Sequence, residues 1–326
     1  MQRQGSDTLI EIGLAAAIVA VELGRPEILV SEDEGGEDGL PYGSFDPLKH
    51  RTLEIGLRDF VVTQTGSTLG YVEQLYTFAD RGRHARPDDG SPHVVSIGYL
   101  ALTRADSGAS QTMRDAHFKS WYEYFPWEDW RGGRPPILDR ELVPELILWA
   151  NDRKADEAEA HQRALSRLER LRLCFGTHES PWDEEKVLER YELLYEAGLV
   201  HEAVRDGRVP AQKANELQFG ASMRHDHRRI LATAMGRLRA KLKYRPVVFE
   251  LMPAEFTLTA LQSTVEAISG RHLHKQNFRR LVESTALVEP TGSQITTRGR
   301  PAALFHFRRD VLQERPAPGL RVGQRG

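Results

Sequence analysis

The stretch Lys275-Gln-Asn-Phe-Arg-Arg-Leu-Val-Glu-Ser284 carries the most informative pattern in this sequence. On a helix, Phe278, Leu281 and Val282 share one face, and an apolar face of this kind turns toward a protein core. The rest of the helix surface offers two guanidiniums and two carboxamides, from Gln276, Asn277, Arg279 and Arg280. These groups have the donor and acceptor geometry that suits guanine and adenine edges in the major groove. The pattern therefore predicts a helix that reads DNA.

A second helix precedes this one. It begins within Pro253-Ala-Glu-Phe-Thr-Leu-Thr-Ala-Leu-Gln262, where Thr257 or Thr259 is available as the N-cap. Apolar residues recur at helical spacing up to Gly270, which ends the helix. Two helices joined by so short a turn are typical of a helix-turn-helix.

A basic hairpin follows. Residues 286–289 and 302–307 predict two strands, and the loop between them carries Arg298-Gly-Arg-Pro301 near its tip. Arginines held extended around a glycine suit a narrow minor groove, where the negative potential is strongest. This order of elements predicts a winged helix-turn-helix that binds double-stranded operator DNA. The predicted DNA-binding residues are Lys275, Gln276, Asn277, Arg279, Arg280, Arg298 and Arg300. A solvated basic subdomain and an RNA-binding surface stay open as alternatives.

The charge distribution supports a polyanionic partner. The chain of 326 residues has a formal net charge of −3. Residues 224–326 nevertheless hold 19 of its 44 Lys and Arg residues and only 8 of its 47 Asp and Glu residues. A basic module on an acidic body favours a partner with many phosphates.

The first half of the chain predicts an α+β domain. Residues 9–30 are typical of a β-hairpin, Leu53–Thr63 of a helix, and Val72–Phe78 and Val94–Leu102 of strands. This domain is predicted over residues 1–130. From Leu138 to Val204 the pattern turns helical, which predicts a linker or dimerisation region over residues 131–223. The winged helix module, predicted over residues 224–326, opens with a basic helix from His225 to Lys243.

Several classes of protein are disfavoured. The sequence has no apolar run long enough to span a membrane and no signal-peptide pattern, and Cys174 is its single cysteine. These features indicate a reducing cytoplasm and exclude a disulfide framework. Two histidine pairs occur, His225-x-His227 and His272-x-His274. No cysteine lies near either pair, so no metal site is predicted. No Walker, Gly-x-Ser-x-Gly or Gly-x-Gly-x-x-Gly motif occurs.

Residues 43–66 resemble a Nudix box, the metal-binding helix of a family of diphosphate hydrolases. The family pattern is G-x5-E-x7-R-E-U-x-E-E-x-G, and its glutamates hold the divalent cations. Counting back from Gly66 places Thr63 and Gln64 at the paired glutamates. Only Glu54 and Asp59 are acidic in the helix, and neutral Thr and Gln do not hold hard cations as carboxylates do. We therefore expect no catalytic residues, although a divergent nucleoside-diphosphate hydrolase stays an alternative.

The chain as a whole resembles the NrtR-like, Nudix-related regulators of NAD metabolism, and most closely the NadQ type. The resemblance rests on His50-Arg-Thr-Leu-Glu-Ile-Gly-Leu-Arg58, Tyr71-Val-Glu-Gln-Leu-Tyr-Thr-Phe78, His93-Val-Val-Ser-Ile-Gly-Tyr-Leu-Ala-Leu102, Phe256-Thr-Leu258, Asn277-Phe-Arg-Arg280 and Gly299-Arg-Pro-Ala302. It implies a Nudix-like α/β/α sandwich, a helical connection and a C-terminal winged helix. It further implies a repressor of NAD-biosynthesis genes whose effector is NAD, ADP-ribose or ATP, and no cofactor is expected. Because helix-turn-helix proteins usually bind paired half-sites as dimers, we also expect a homodimer.

A Nudix cleft without its metal-binding acids suits a sensor that binds a nucleotide and does not consume it. Arg81 and Arg83 are candidates for its phosphates, and Phe78 and Tyr99 for flanking an adenine ring. Arg51 lies at the start of the box helix. The plainer alternatives are core positions for the two aromatic residues and solvated loop charges for the arginines.

Overall fold

The computed structural model describes residues 10–33, 35–66, 69–80, 93–104, 116–152, 164–208, 219–296, 301–311 and 319–320. Its centre is a mixed sheet of seven strands. The strands are β1 (Ile10–Glu22), β2 (Arg25–Glu32), β3 (Asp38–Gly39), β4 (Tyr42–Ser44), β5 (Val72–Phe78), β6 (His93–Leu102) and β7 (Ala116–Ser120). The sheet order is β3-β2-β1-β6-β5, with β4 paired to β1 and β7 paired to β2.

The central strand β1 follows from its sequence. Leu14 to Val21 is a continuous apolar run that is buried on both faces of the sheet, as expected for a strand covered by helices on two sides. β1 pairs in parallel with β6 and antiparallel with β2. The predicted hairpin is present, and its turn is formed by Leu23 and Gly24, both with positive φ.

Two helices cover the two faces of this sheet. Helix α1 (Leu53–Thr65) packs Leu57 and Val61 against alternate residues of β1, beginning with Leu14. The other face is covered by the long helix α7 (His227–Leu242), which packs among the intervening β1 residues. This arrangement is an α/β/α sandwich, the layering that the resemblance to Nudix-related regulators implies.

The helical region lies against α7 and the sheet body. Its described helices are α3 (Val143–Ala150), α4 (Arg167–Phe175), α5 (Val187–Ala197) and α6 (His201–Arg205), and a π turn (Leu138–Leu142) precedes α3. The short helix α2 (Trp121–Tyr124) comes before this region and directly follows β7. Short 3₁₀ turns occur at Pro126–Glu128 and Val247–Leu251. Among the described helices, none is long and apolar enough to cross a membrane.

The C-terminal elements have the order predicted from sequence. They are helix α8 (Leu258–Ser269), helix α9 (Lys275–Thr285) and the hairpin of β8 (Val288–Ile295) and β9 (Ala302–Phe307). Thr257 caps α8 by accepting from the amide of Ala260, and Gly270 ends it with a φ of 70°. Strand β8 runs to Ile295, although the sequence predicted a loop from Pro290. A register shift between Pro290 and Gln294 explains this, because a proline without an amide proton is tolerated at a bulge.

The division of the chain at residue 224 stays a prediction. Helix α7, which opens the predicted C-terminal module, packs on the sheet of the N-terminal half. The module and the sandwich therefore share this helix as one layer.

Candidate nucleic-acid interface and sensor cleft

Helix α9 presents the polar face that the sequence predicted. Phe278 and Val282 are 2% and 1% exposed and Leu281 is half-buried, so the apolar face points into the winged helix core. The opposite surface is exposed at every predicted DNA-binding position of the helix: Lys275, Gln276, Asn277, Arg279 and Arg280.

The charge on this face is not neutralised within the chain. In the part of the chain that the structure describes, Lys275, Arg279 and Arg280 have no carboxylate at ion-pair distance. Other arginines of the described residues are paired, for example Arg131 with Asp129 at 2.8 Å and Arg134 with Asp139 at 2.8 Å. An exposed cationic face without internal partners favours an external anion.

The turn between α8 and α9 is organised by Glu266. Its carboxylate accepts from the amide of Leu273 at 2.7 Å and from the side chain of Gln262 at 3.0 Å, and it lies 3.2 Å from His272. Gln262 also donates to the carbonyl of Leu273 at 2.8 Å. These bonds fix the angle at which α9 leaves α8. Glu266 is not among the residues predicted from sequence, because a glutamate on a helix ordinarily indicates only a solvated face.

The wing is described along its two strands but not at its tip. Antiparallel pairing joins β8 to β9, and Phe307 stacks on Phe249 with ring centroids 4.3 Å apart. Arg298 and Arg300 lie outside the described residues. Their predicted role in the minor groove therefore stays a prediction.

The helix that resembles a Nudix box is α1, and its acidic side chains are paired with bases. Glu54 lies 2.9 Å from Arg58, and Asp59 lies 3.1 Å from the imidazole of His50. Gln64 donates to the carbonyl of Tyr42 at 2.7 Å, which ties the end of the helix to the preceding loop. Each of these three side chains of α1 thus has a partner within the protein.

One group of potential metal ligands lies elsewhere on the sheet. Glu32, Asp38 and His117 bring their ligand atoms close together. The amino group of Lys119 lies 3.0 Å from Glu32 and 2.9 Å from Asp38, and the hydroxyl of Tyr124 donates to Asp38 at 2.6 Å. These two carboxylates are therefore already stabilised by protein donors.

The predicted aromatic pair of the sensor does not surround one cleft. Phe78 is 4% exposed and lies on the α7 face of the sheet, whereas Tyr99 is 3% exposed and lies on the α1 face. A register shift between Gln74 and Thr77 is the reason, since one extra residue in a strand turns the following side chains to the opposite face. The structure does not bring the two rings into one cleft, and their role beside an adenine ring stays a prediction.

Each ring has its own contacts inside the protein. The guanidinium of Arg229 lies 5.1 Å from the centre of the Phe78 ring. The hydroxyl of Tyr99 donates to Gln74 at 3.4 Å, and burial raises the pKa of Tyr99. Arg51 is exposed at the start of α1, and Arg81 and Arg83 lie outside the described residues. Effector binding by any of these residues stays a prediction.

The C-terminal elements match a known family of DNA-binding domains. The family model of the NrtR DNA-binding winged helix domain matches residues 248–307, which contain α8, α9 and the wing strands. These residues form a winged helix domain that is similar to that of NrtR. The position of this domain agrees with the helix-turn-helix and hairpin predicted from sequence.

A curated relative carries a related name. The chain is 40% identical over 82 residues to the ADPR responsive transcriptional repressor NtrR of Acinetobacter baylyi. The match covers 25% of this chain and 33% of the relative, so the chain spans about a third of the length of the relative that it matches.

Solved structures extend the likeness beyond the NrtR winged helix. NrtR of Shewanella oneidensis in complex with a 27mer DNA has a TM-score of 0.55 to this chain, with 18% identity over 93% of this chain and 95% of that chain. The same protein without DNA gives 0.54 over 92% and 95%. These values show a common fold. They confirm the α+β fold class, and the family model at residues 248–307 together with the curated relative confirms the predicted resemblance to NrtR-like regulators.

Proposed function

We propose that this protein is a transcriptional repressor that binds operator DNA through helix α9 and the wing. The observation that carries the proposal is the exposed face of α9, whose cations have no carboxylate partners among the described residues. The match of residues 248–307 to a DNA-binding domain supports it. Phosphate neutralisation supplies most of the affinity, and each bidentate contact with a base adds roughly 1–3 kcal/mol of discrimination.

The effector in this proposal is ADP-ribose or a related adenine nucleotide such as NAD or ATP. Support comes from the curated relative, which is named for its response to ADPR. The Nudix-like sandwich is the proposed sensor, and the regulated genes are those of NAD biosynthesis. A ligand that binds the DNA-free and DNA-bound forms with different affinity must shift operator affinity.

Catalysis is not part of the proposed function. In α1 the acids Glu54 and Asp59 are held by Arg58 and His50, and Thr63 and Gln64 replace the paired glutamates of the box. We expect ADP-ribose and NADH to stay intact during incubation with Mg²⁺ or Mn²⁺. Rapid formation of AMP would instead favour the hydrolase alternative.

The assembly and location of the protein complete the proposal. Helix-turn-helix regulators bind paired half-sites as dimers, so we propose a homodimer. The helical region, residues 131–223, is its proposed interface. A repressor of this kind acts in the cytoplasm. Sedimentation of the full chain with and without operator DNA would show its oligomeric state.

The decisive experiment measures the affinity of the protein for the promoter region upstream of its own gene, by titrating that DNA with protein at constant salt. Arg280→Ala is expected to lower operator affinity at least tenfold while the far-ultraviolet circular dichroism is unchanged. Arg140→Ala is the matched control, since it removes an exposed arginine that is far from α9 in sequence and lies in the π turn before α3. Unchanged affinity in Arg280→Ala, or stronger binding to duplex RNA of the same sequence, would contradict the proposal.

A further inference from the structure

The end of helix α8 is capped by groups from the N-terminal half of the chain. The hydroxyl of Tyr122 donates to the carbonyl of Ala267 at 2.8 Å, and the amide of Trp130 donates to the carbonyl of Gly270 at 2.7 Å. Both donors belong to residues 122–130, here called the capping segment. The last carbonyls of a helix have no partner within it, so such external donors fix where the helix ends and how it is oriented.

A third donor reaches the same helix end through a buried ion pair. The Nε of Arg239 donates to the carbonyl of Ile268 at 2.9 Å. The same guanidinium is held by Glu128 of the capping segment, with 2.6 Å to its carboxylate and 3.2 Å to its carbonyl. Arg239 and Glu128 are each 1% exposed, so water does not compete for these bonds.

The backbones of the two parts approach each other closely at Gly270. A Cβ atom on Gly270 would lie 2.4 Å from the carbonyl oxygen of Glu128, and the φ of Gly270 is 70°. Only a glycine fits this contact. The turn to α9 begins at this residue, and α9 itself starts five residues later, at Lys275.

We propose that Tyr122 and Glu128 are positioning residues for DNA recognition, although they lie outside the winged helix. This inference rests on the proposed DNA-binding function. Because the capping segment fixes the end of α8, it also fixes the turn that Glu266 organises and the direction of α9. The capping segment follows strand β7 almost directly, so a displacement of the sheet reaches the recognition helix through these bonds.

Two tyrosines of the capping segment allow a matched test in the full chain. Tyr122→Phe removes the hydroxyl that caps α8, whereas Tyr124→Phe removes a second buried hydroxyl, which donates to Asp38 in the sheet. Amide hydrogen exchange over residues 270–278 and operator affinity would be measured for both variants. For Tyr122→Phe we expect faster amide exchange at residues 270–278. We also expect operator affinity to fall about three- to tenfold, because one buried hydrogen bond is lost. Tyr124→Phe is expected to leave both values unchanged.

The two readouts separate this inference from the proposed function. If the wild-type protein binds no operator, the proposed function fails, and the exchange rates still decide whether Tyr122 holds the turn. Exchange at residues 270–278 that is equal in wild type and Tyr122→Phe would overturn the inference. Equal losses of operator affinity in the two variants would also overturn it, because they would report general destabilisation.

Discussion

At the residue scale, the carboxylate of Glu128 lies between the guanidiniums of Arg190 and Arg239, and all three side chains are at most 1% exposed. The two arginines direct their other donors to backbone carbonyls, such as those of Asp183 and Glu184. The site thus holds two buried cations and one buried anion. Such a network depends on its carboxylate, because a buried charge without a partner is costly.

Glu128→Gln is therefore expected to lower the free energy of unfolding by about 3–5 kcal/mol, since it leaves both guanidiniums without a countercharge. Urea unfolding of the full chain would measure the loss. Glu123→Gln changes an exposed acid five residues earlier and is expected to be neutral. A loss below about 1 kcal/mol for Glu128→Gln would show that the carbonyls alone satisfy the arginines.

Tyr42 gives the protein a specific sensitivity to alkaline pH. Burial, with a smaller contribution from Glu11, raises the pKa of Tyr42 to about 12 from its ordinary value of 10.0. The folded state therefore keeps the proton longer than the unfolded state. The contribution of Tyr42 to stability is therefore complete below the pKa that Tyr42 has in the unfolded state. This contribution is lost as pH rises toward the pKa of Tyr42 in the folded state.

We accordingly expect the wild-type protein to lose stability between about pH 10 and about pH 12, and Tyr42→Phe to lose less over the same range. The difference should reach about 1–2 kcal/mol, allowing for the partial exposure of the ring. Unfolding free energies of the two proteins across this range would provide the comparison. Parallel pH profiles would mean that Tyr42 ionises normally in the folded protein.

Little of this residue-scale chemistry could be predicted from sequence. Glu128 lies 62 residues from Arg190 and 111 residues from Arg239, and each looks locally like a solvated charge. The face of α9 was predictable, because helical spacing alone separates Phe278 and Val282 from Arg279 and Arg280. Local periodicity determines which way a side chain points on its own element, but not which distant partner it meets.

At the scale of elements, the end of α8 and the wing offer two glycines with similar backbones and different surroundings. Gly270 has a φ of 70° and lies against the carbonyl of Glu128, whereas Gly292 in β8 has a φ of 82° and open space within 4 Å of where a Cβ atom would lie. Any other residue is strained in the left-handed region at both positions.

Gly270→Ala is expected to cost about 3 kcal/mol or more, because backbone strain and overpacking add. Gly292→Ala should cost only about 1–2 kcal/mol, the strain alone. Thermal or urea unfolding of both variants would test the difference. Equal costs at the two positions would mean that the capping segment moves away from α8 without penalty.

Element boundaries were predictable where a cap marks them. Thr257 and Gly270 bound α8 as expected, and Gly66 ends α1 with a φ of 63°. Strand β5 shows the opposite case, because its register shift between Gln74 and Thr77 has no local signal in the sequence. That single shift is the reason why Phe78 and Tyr99 lie on opposite faces of the sheet.

At the scale of the whole molecule, the proposed sensor and DNA-binding domain are linked through binding equilibria. If ADP-ribose changes operator affinity by a given factor, operator DNA must change ADP-ribose affinity by the same factor. We expect a factor of about 5–150, the usual range of such coupling. Calorimetry of ADP-ribose binding with and without operator, together with operator titrations at saturating ADP-ribose, would test the equality. Absence of any shift in both titrations would remove the sensor from the proposed function.

The layer formed by α7 has a practical consequence for anyone who wishes to study the two halves separately. Helix α7 covers a face of the sheet on which β1 buries Ala15, Ala17 and Val19. A fragment that stops at residue 223 would expose this apolar surface to water, and exposed apolar surface promotes aggregation. Soluble expression of the isolated sensor should therefore require chain termination after Leu242, which assigns α7 to the half of the protein that precedes it.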